Sequence, residues 1–161
     1  MEHEFWHERW AKKEIGFHEG TVNQYLHDHW PELAGKGTDA VFVPLCGKAH
    51  DMWWLHDLKH VRLVYDRAAL IALPPHMRKG YVDHLTAIIP DGTRILLITL
   101  DYDTEIKGPP FNVSDEEVRE LYQDDYKIEH ILTNTLAKDH PFTKRKGLEN
   151  ASESVFRLTK L

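Results

Sequence analysis

The chain has 161 residues, of which 42% are hydrophobic and 29% charged, and its formal net charge is −6. These values predict one domain over residues 1–161, and the acidic balance argues against a dedicated nucleic-acid binder. We therefore expect no nucleic-acid partner. No apolar run reaches membrane-spanning length and no signal-peptide pattern is present, so we expect no membrane partner either. The single cysteine, Cys46, excludes an intramolecular disulfide and predicts a cytoplasmic protein.

Two helices are predicted before the first strand. Residues 2–13 form the first, in which Trp6 and Trp10 lie one turn apart on the same face. Thr21 and Gln24 have the spacing of a capping box, which predicts the start of the second helix. The predicted apolar face of this second helix consists of Val22, Leu26, Trp30 and Leu33.

The first strand and the turn after it are the centre of the predicted site. Residues 40–43 form an unbroken apolar run, which is typical of a strand covered on both faces in an α/β sheet. The run ends at Pro44, and Gly47 allows the backbone to turn sharply and to approach a ligand. Ligands of such sheets bind at the carboxyl ends of the strands, next to the following helix, here predicted over residues 49–58. An ordinary strand-to-helix turn is the alternative, because the full Gly-x-Gly-x-x-Gly pattern is absent.

The remainder of the chain alternates between predicted strands and helices. Strands are predicted at 61–65 and 94–101, helices at 76–89 and 115–123, and a closing antiparallel pair at 128–137 and 154–161. Ser114 and Glu117 predict a capping box for the helix after them. The basic, polar segment 138–150 is predicted to be mobile. The predicted apolar face of the 76–89 helix consists of Met77, Tyr81, Leu85 and Ile88. The alternation predicts an α/β sheet of about five mostly parallel strands with a C-terminal antiparallel pair.

The histidines and the cysteine offer less specific chemistry. His3 and His7, like His56 and His60, are spaced i,i+4 and share a helix face. Each pair lacks a third and a fourth ligand, so surface histidines are favoured over a metal site and we expect no metal. The Cys46 thiol is either acidified at the start of a helix or packed into the turn, and packing is the favoured role.

A series of short motifs made of uncommon residues extends from residue 5 to the C-terminal region. In order, they are Phe5-Trp6-His7-x-x-Trp10, Ile15-Gly16-Phe17-His18, Val43-Pro44-Leu45-Cys46-Gly47-Lys48, Asp51-Met52-x-Trp54-Leu55, Tyr65-Asp66-Arg67-Ala68-Ala69-Leu70-Ile71-Ala72-Leu73-Pro74, Leu97-Ile98-Thr99-Leu100-x-Tyr102, Gly108-Pro109-Pro110-Phe111 and Gly147-Leu148-Glu149. Their content and order resemble the thiopurine S-methyltransferase family, particularly its bacterial members.

The resemblance implies a class I S-adenosylmethionine-dependent methyltransferase fold, which is Rossmann-like, and methyl transfer to a small-molecule thiol or a related chalcogen. The implied catalytic residues are Arg67, which would face the substrate thiolate, and its neighbour Asp66. The tryptophans could instead be core anchors, and Arg67 could pair structurally with an aspartate. The implied S-adenosylmethionine contacts are Trp6, Trp10, Leu45, Cys46 and Gly47, and the implied walls of the substrate pocket are Phe17, Pro109, Pro110 and Phe111.

The chain departs from the family pattern between Leu55 and Val61. Family members continue there through a second strand, a helix and a third strand, so on the order of 50–60 residues are missing here. The missing unit would hold the ribose and the adenine, and we therefore expect cofactor binding to be weakened or lost. Asp66 lies nineteen residues after Gly47, near the usual offset of a ribose-binding acid, but it ends a different strand and is a poor replacement.

The deletion also changes the predicted topology and assembly. A direct crossover from the first strand to the strand at 61–65 would be left-handed unless the 49–58 helix moves to the opposite face of the sheet. Residues 41–43 would become an unprotected apolar edge, which predicts a homodimer through this strand or through a domain swap across 56–61. The leading functional prediction is a shortened thiol methyltransferase. The alternative is a non-catalytic or repurposed relative that binds a small molecule or a partner.

Overall fold

A computed structural model of the chain describes residues 8, 11–12, 21–34, 41–44, 62–102, 108–148 and 150–161. The helices predicted at 2–13 and 49–58 fall mostly or wholly outside these residues. In the part of the first one that is described, the Lys12 N–H donates to the Glu8 carbonyl at 2.9 Å, the i,i+4 bond of a helix. The described elements, in chain order, are α1 (Gln24–Ala34), β1 (Val41–Phe42), β2 (Leu63–Asp66), α2 (Ala69–Ala72), α3 (Pro75–Ile88), β3 (Arg94–Tyr102), α4 (Asp115–Tyr122), β4 (Tyr126–Thr135), α5 (Pro141–Lys146) and β5 (Ala151–Lys160).

The strands form one mixed sheet in the order β1-β2-β3-β5-β4. The β1–β2 and β2–β3 pairs are parallel, whereas β5 is antiparallel to both β3 and β4. This architecture confirms the predicted α/β sheet with its C-terminal antiparallel pair. Within the described residues, β1 pairs with β2 and stands at the edge of the sheet, as expected for a chain that lacks the second and third strands of the parent fold.

Helix α1 covers one face of the sheet. Leu26, Trp30 and Leu33 are buried against side chains of β2, β3 and β5, which confirms most of the predicted apolar face. The predicted cap at Thr21 is wrong, because the side-chain oxygen of Asn23 accepts the Leu26 N–H at 3.2 Å. An asparagine directly before the first helical residue satisfies an otherwise unpaired donor of the first turn.

Helices α3 and α4 cover the opposite face, and the predicted face of α3 is confirmed at Tyr81 and Leu85, which pack into the core, but not at its two other positions. Met77 and Ile88 are 43% and 55% exposed, whereas Arg78, Val82 and Leu85 are buried. The buried positions keep a helical spacing of four and three residues. Sequence reasoning placed half of the face wrongly because it excluded an arginine from an apolar stripe.

Arg78 is buried because its guanidinium has partners on three sides. The Arg78 side chain is 1% exposed, and its Nη1 donates to both oxygens of the Glu117 carboxylate, each at 2.6 Å. The same guanidinium donates to the backbone carbonyls of Leu73 and Asn112, each at 3.0 Å. The expected Ser114 cap of α4 is confirmed, since its hydroxyl oxygen accepts the Glu117 N–H at 3.2 Å. The Glu117 carboxylate itself binds Arg78.

The segment between the last two strands is folded where it is described, which corrects the prediction of a mobile region. It contains α5, whose N-terminus is capped by the side chain of His140 and whose C-terminus ends at Gly147 with a φ of 66°. Phe142 on this helix packs edge-on against Tyr102, with ring centroids 5.7 Å apart. Sequence reasoning missed the helix because Phe142 is its one aromatic residue and most of its neighbours are basic. The segment therefore shows almost no helical repeat of apolar residues. None of the described helices is both long and apolar enough to cross a membrane.

Candidate functional site

The carboxyl ends of β2, β3 and β4 meet at the same edge of the sheet. The strand registers pair Tyr102, at the end of β3, with Ala151, and they pair Asn134, near the end of β4, with Glu153. Arg67 directly follows β2 at this edge. Two cavities of about 270 Å³ and about 380 Å³ lie there. Ligands of open α/β sheets bind at this position in the fold.

Arg67 lines the smaller cavity, which we call the Arg67 cavity. Leu63 and Tyr65 on β2 pack against α1, and Arg67 continues this alternation one residue beyond the strand. Its guanidinium is therefore carried to the α1 side of the sheet, where it is half-buried. The other residues that line the cavity are Thr21, Val22, Asn23, Gln24, Tyr25, Asn134, Leu136, His140 and Glu153.

A hydrogen bond between β4 and α1 forms part of the wall of the Arg67 cavity. The Asn134 side-chain amide donates to the Tyr25 hydroxyl oxygen at 2.9 Å, and Glu153 lines the same cavity. Burial raises the pKa of Tyr25, and the charge of Glu153 raises it further, whereas Asn134 and Arg67 lower it. The phenol therefore remains a protonated donor, and both Arg67 and Glu153 lie within electrostatic reach of it.

Asp66, the second predicted catalytic residue, points to the opposite face of the sheet. It is 1% exposed, and its Oδ1 accepts the N–H groups of Ala69 and Leu70 at 3.0 and 3.4 Å. Its Oδ2 accepts the Tyr81 hydroxyl at 2.7 Å. Burial raises the pKa of Asp66, and these hydrogen bonds oppose the rise. In this position Asp66 fixes the β2–α2 turn that carries Arg67, and its own oxygens already have protein partners.

The predicted substrate wall at 109–111 is fastened to β3 and α2. The Phe111 N–H donates to the Ile71 carbonyl at 2.7 Å, and the Tyr102 hydroxyl donates to the Pro110 carbonyl. A Cβ at Gly108 would lie closer than 3.0 Å to the Phe111 ring, so a glycine is needed there. None of Pro109, Pro110 and Phe111 is among the described residues that line either cavity. The larger cavity is lined by Asp101, Tyr102, Thr135, Asn150, Ala151 and Ser152.

The predicted cofactor contacts lie outside the described residues, as does one predicted pocket wall. These residues are Trp6, Trp10, Leu45, Cys46, Gly47 and Phe17. The described part of the chain fits S-adenosylmethionine in one respect, because an open cavity lies at the strand-end edge where such a ligand binds. Asp66 does not fit as a ligand of the ribose hydroxyls, because it is buried and both of its oxygens already accept hydrogen bonds.

Sequence reasoning missed the residues that share the cavity with Arg67. Tyr25 and Asn134 are 109 positions apart, so no local motif contains both. A signal was present in the strand alternation: Glu153 precedes the buried Val155 by two residues and therefore points to the same face. In the described ranges, no group of three histidine, cysteine, aspartate or glutamate side chains is placed to hold a metal ion. The histidine pairs at 3/7 and 56/60 are outside those ranges.

Solved structures with a similar fold have low sequence identity to this chain. The 1,6-didemethyltoxoflavin-N1-methyltransferase of Burkholderia thailandensis superposes with a TM-score of 0.63 at 11% identity, over 98% of this chain and 87% of that one. TehB from Haemophilus influenzae superposes with a TM-score of 0.61 at 10% identity, over 96% and 67% of the two chains. These likenesses confirm the class I methyltransferase fold and carry no information on the substrate.

Sequence relatives are far closer. A profile described as Thiopurine S-methyltransferase (TPMT) matches residues 1–61 and 56–161. The thiopurine S-methyltransferase of Marinobacter nauticus is 58% identical over 218 positions, which cover 99% of this chain and 100% of that protein. The relatives of the same name from Nitrosospira multiformis and Azotobacter vinelandii are each 35% identical over 98% of this chain, and cover 98% and 99% of those proteins.

The alignments also contain the predicted deletion. The Marinobacter alignment has 218 positions, 57 more than the 161 residues of this chain, so the relative has a segment with no counterpart here. The two profile matches meet at residues 56–61, which places the junction where the family pattern breaks. The chain belongs to the thiopurine S-methyltransferase family and is a methyltransferase.

Proposed function

We propose that the chain transfers a methyl group from S-adenosylmethionine to the sulfur of a small aromatic thiolate, or to a related chalcogen. The observation that carries this proposal is the position of Arg67. In a chain of this family, an arginine at the carboxyl end of a central strand lines a cavity of about 270 Å³ on the open side of the sheet. A guanidinium keeps its charge at any working pH and offers a fork of donors to an anion.

Arg67 would act by holding and orienting the thiolate. S-adenosylmethionine supplies, when bound, an activated methyl group on a positively charged sulfur. A thiolate is already a strong nucleophile, so alignment and the exclusion of water contribute more than a general base. This requirement agrees with the position of Asp66, whose oxygens bind Tyr81 and α2. The role proposed for Asp66 is to position Arg67.

The family motifs support the remaining site assignments. We assign the cofactor contacts to Trp6, Trp10, Leu45, Cys46 and Gly47, because aromatic faces favour a sulfonium charge and Gly47 permits close approach. Phe17 and the segment 109–111 are assigned to the walls of the substrate pocket. Since the deleted unit would hold the adenosine, we expect weak cofactor binding.

Calorimetry and a methylation assay together test the proposal. The full chain is titrated with S-adenosylmethionine and S-adenosylhomocysteine, and a panel of aromatic thiols is then assayed for S-methylation. We expect measurable binding of both cofactor forms and methylation of at least one thiol. Absence of binding at millimolar cofactor would refute the proposal. Binding without methylation of any thiol would favour a redirected relative, which the comparisons do not favour.

We also propose that two copies of the chain associate through β1. This strand stands at the edge of the described sheet, and exposed strand edges pair readily with another strand. The other route is a domain swap across residues 56–61. Light scattering at micromolar concentration is expected to give the mass of a dimer, and a stable monomer would contradict the proposal.

The single cysteine continues to support a reducing, cytoplasmic compartment.

A further inference from the structure

We propose that Arg78 is a positioning residue of the substrate pocket, because it ties segment 108–113 to the end of α2. This inference rests on the proposed function, in which residues 109–111 form a wall of that pocket. Helix α2 begins two residues after Arg67. A contact that fixes segment 108–113 against the end of α2 therefore helps to set the distance between the wall and Arg67.

The guanidinium of Arg78 joins three separate parts of the chain. Its Nε donates to the carbonyl of Leu73, the residue that follows α2, and its Nη2 donates to the carbonyl of Asn112, each at 3.0 Å. The remaining nitrogen, Nη1, donates to both carboxylate oxygens of Glu117 on α4. A guanidinium is planar and its donors have fixed directions, so the Leu73 and Asn112 carbonyls take up defined positions relative to each other.

Segment 108–113 depends on contacts with other elements because it has no regular secondary structure. Its two prolines lack N–H groups and cannot donate a hydrogen bond. The Phe111 N–H donates to a carbonyl of α2, and the Val113 N–H donates to a carbonyl of β3, each at 2.7 Å. The Asn112 carbonyl lies between these two bonds and accepts from Arg78. Loss of Arg78 therefore removes the middle one of three consecutive attachments.

Stability alone does not account for an arginine at this position. Arg78 lies on the buried face of α3 and is 1% exposed, so its charge has been removed from water and its partners must offset that cost. Replacement of a buried ion pair by apolar side chains often leaves the free energy of unfolding unchanged or raises it. An apolar side chain cannot, however, donate to the Leu73 and Asn112 carbonyls. The contribution specific to arginine is the fixed position of these two carbonyls.

The contacts of segment 108–113 extend to the edge of the sheet where ligands bind. The Tyr102 hydroxyl donates to the Pro110 carbonyl, and Tyr102 lines the larger cavity. Burial raises the pKa of Tyr102, whereas the positive charge of Arg78 lowers it, so the two side chains lie within electrostatic reach of each other. A shift of the segment after loss of Arg78 would therefore reach a residue that lines a cavity at the strand ends.

The double variant Arg78→Met, Glu117→Gln tests the inference. It removes the donors to both carbonyls without leaving an unpaired buried charge, so we expect it to fold. With thiophenol as the substrate, we expect KM to rise about tenfold and kcat to change by less than about threefold, because a displaced wall weakens substrate and transition-state binding alike. If Arg78 has only a structural role, kcat falls through loss of folded protein and KM stays unchanged.

Leu158→Ala is the matched control for a general loss of stability. Leu158 is fully buried in the core on the same face of the sheet, but it pairs with Ile95, at the opposite end of β3 from Tyr102. Its truncation lowers the free energy of unfolding and is expected to leave KM for thiophenol unchanged.

Arg78→Lys is a second test and decides the question if the double variant does not fold. The lysine ammonium can still pair with Glu117, but it lacks the planar fork that reaches both the Leu73 and the Asn112 carbonyl. We expect KM for thiophenol to rise about threefold, a smaller change than in the double variant. A lysine variant with the KM of the parent would contradict the inference.

Amide hydrogen exchange provides a readout that does not depend on turnover. In the double variant, the Phe111 and Val113 amides are expected to exchange at least about tenfold faster relative to the Lys160 amide. The Lys160 N–H donates to the Thr93 carbonyl at the other end of the sheet and reports on the stability of the whole domain. In Leu158→Ala, the Phe111 and Val113 amides should not become faster relative to that of Lys160.

The outcomes distinguish this inference from the proposed function. If the parent methylates thiophenol and the double variant has an unaltered KM or unaltered relative exchange rates, the inference is wrong and the proposed function stands. If the parent binds thiophenol but methylates no thiol, the proposed function fails. The dissociation constant of thiophenol in the parent and the variants then replaces KM as the test of Arg78. If thiophenol does not bind, the inference is overturned, and the other thiols decide the proposed function.

Discussion

Asp66 and Arg67 are neighbours in the sequence but belong to two different environments. Asp66 points to the α3 side, where it is buried and accepts hydrogen bonds from Ala69, Leu70 and Tyr81. Arg67 points to the α1 side and lines a cavity. The comparison shows that the role of a polar residue at a strand end depends on the face of the sheet to which its side chain points. On the α3 side, which we call the sealed face, charge serves the structure, and on the α1 side, which we call the open face, we propose that charge binds a ligand.

The largest effect is expected on the sealed face, from Glu117→Ala. Arg78 is 1% exposed and loses its carboxylate partner in this variant, so an uncompensated charge remains buried. We expect the free energy of unfolding to fall by about 3 kcal/mol. Chemical denaturation measures this change. Glu116→Ala, an exposed position in the same turn of α4, is the matched control and should cost less than about 1 kcal/mol.

Asp66→Ala tests whether this carboxylate is structural. The variant leaves the N–H groups of Ala69 and Leu70 and the Tyr81 hydroxyl without their acceptor. We expect a loss of about 2–3 kcal/mol in the free energy of unfolding. Asp66→Asn, which keeps an acceptor oxygen, should retain most of the stability. An Asp66→Ala variant as stable as the parent would show that the two faces do not differ as described.

Arg67→Ala is the reciprocal change on the open face. If Arg67 binds the substrate anion, kcat/KM for an aromatic thiol should fall by about 30-fold, because a charge-assisted contact is lost. The free energy of unfolding should change by less than about 1 kcal/mol, since Arg67 is half-buried at the rim of a cavity. A variant that unfolds, or one with unchanged kinetics, would instead favour the structural pairing considered from the sequence.

Gly108→Ala probes the loop that precedes the predicted substrate wall. The added Cβ would lie closer than 3.0 Å to the Phe111 ring and must displace it, which we expect to cost about 1–2 kcal/mol of stability. Gly80→Ala is the control, because no atom lies within 4 Å of the new methyl group and alanine favours a helix. If Phe111 contacts the substrate, Gly108→Ala alone should also raise KM.

The smallest effect concerns the pH dependence of stability. Because the pKa of Asp66 is raised in the folded chain, its contribution is fully present below the unfolded pKa of about 3.9 and is lost as the pH rises through the raised value. The parent should therefore lose stability relative to Asp66→Asn as the pH rises above about 4. Arg157 lowers the pKa of Glu129, so the parent should lose stability relative to Glu129→Gln as the pH falls, the opposite trend.

The sequence predicts most of the described sheet but little of the cavity chemistry. Continuous apolar runs located β2 and β3, and the Ser114 signal located the start of α4, because these features depend on local residues. Arg78 was left out of the predicted face of α3 because its burial depends on Glu117, 39 residues away. The Asn134–Tyr25 hydrogen bond and the neighbouring Glu153 were missed for the same reason, since tertiary packing alone brings these residues together.

A crystal structure of the chain with S-adenosylhomocysteine and an aromatic thiol tests the central claim most directly. We expect the sulfur of the thiol within hydrogen-bond distance of the Arg67 guanidinium. The Asp66 carboxylate should remain bound to Tyr81 on the other face of the sheet. A thiol that lies away from Arg67, or an Asp66 side chain turned towards the ligand, would contradict the account.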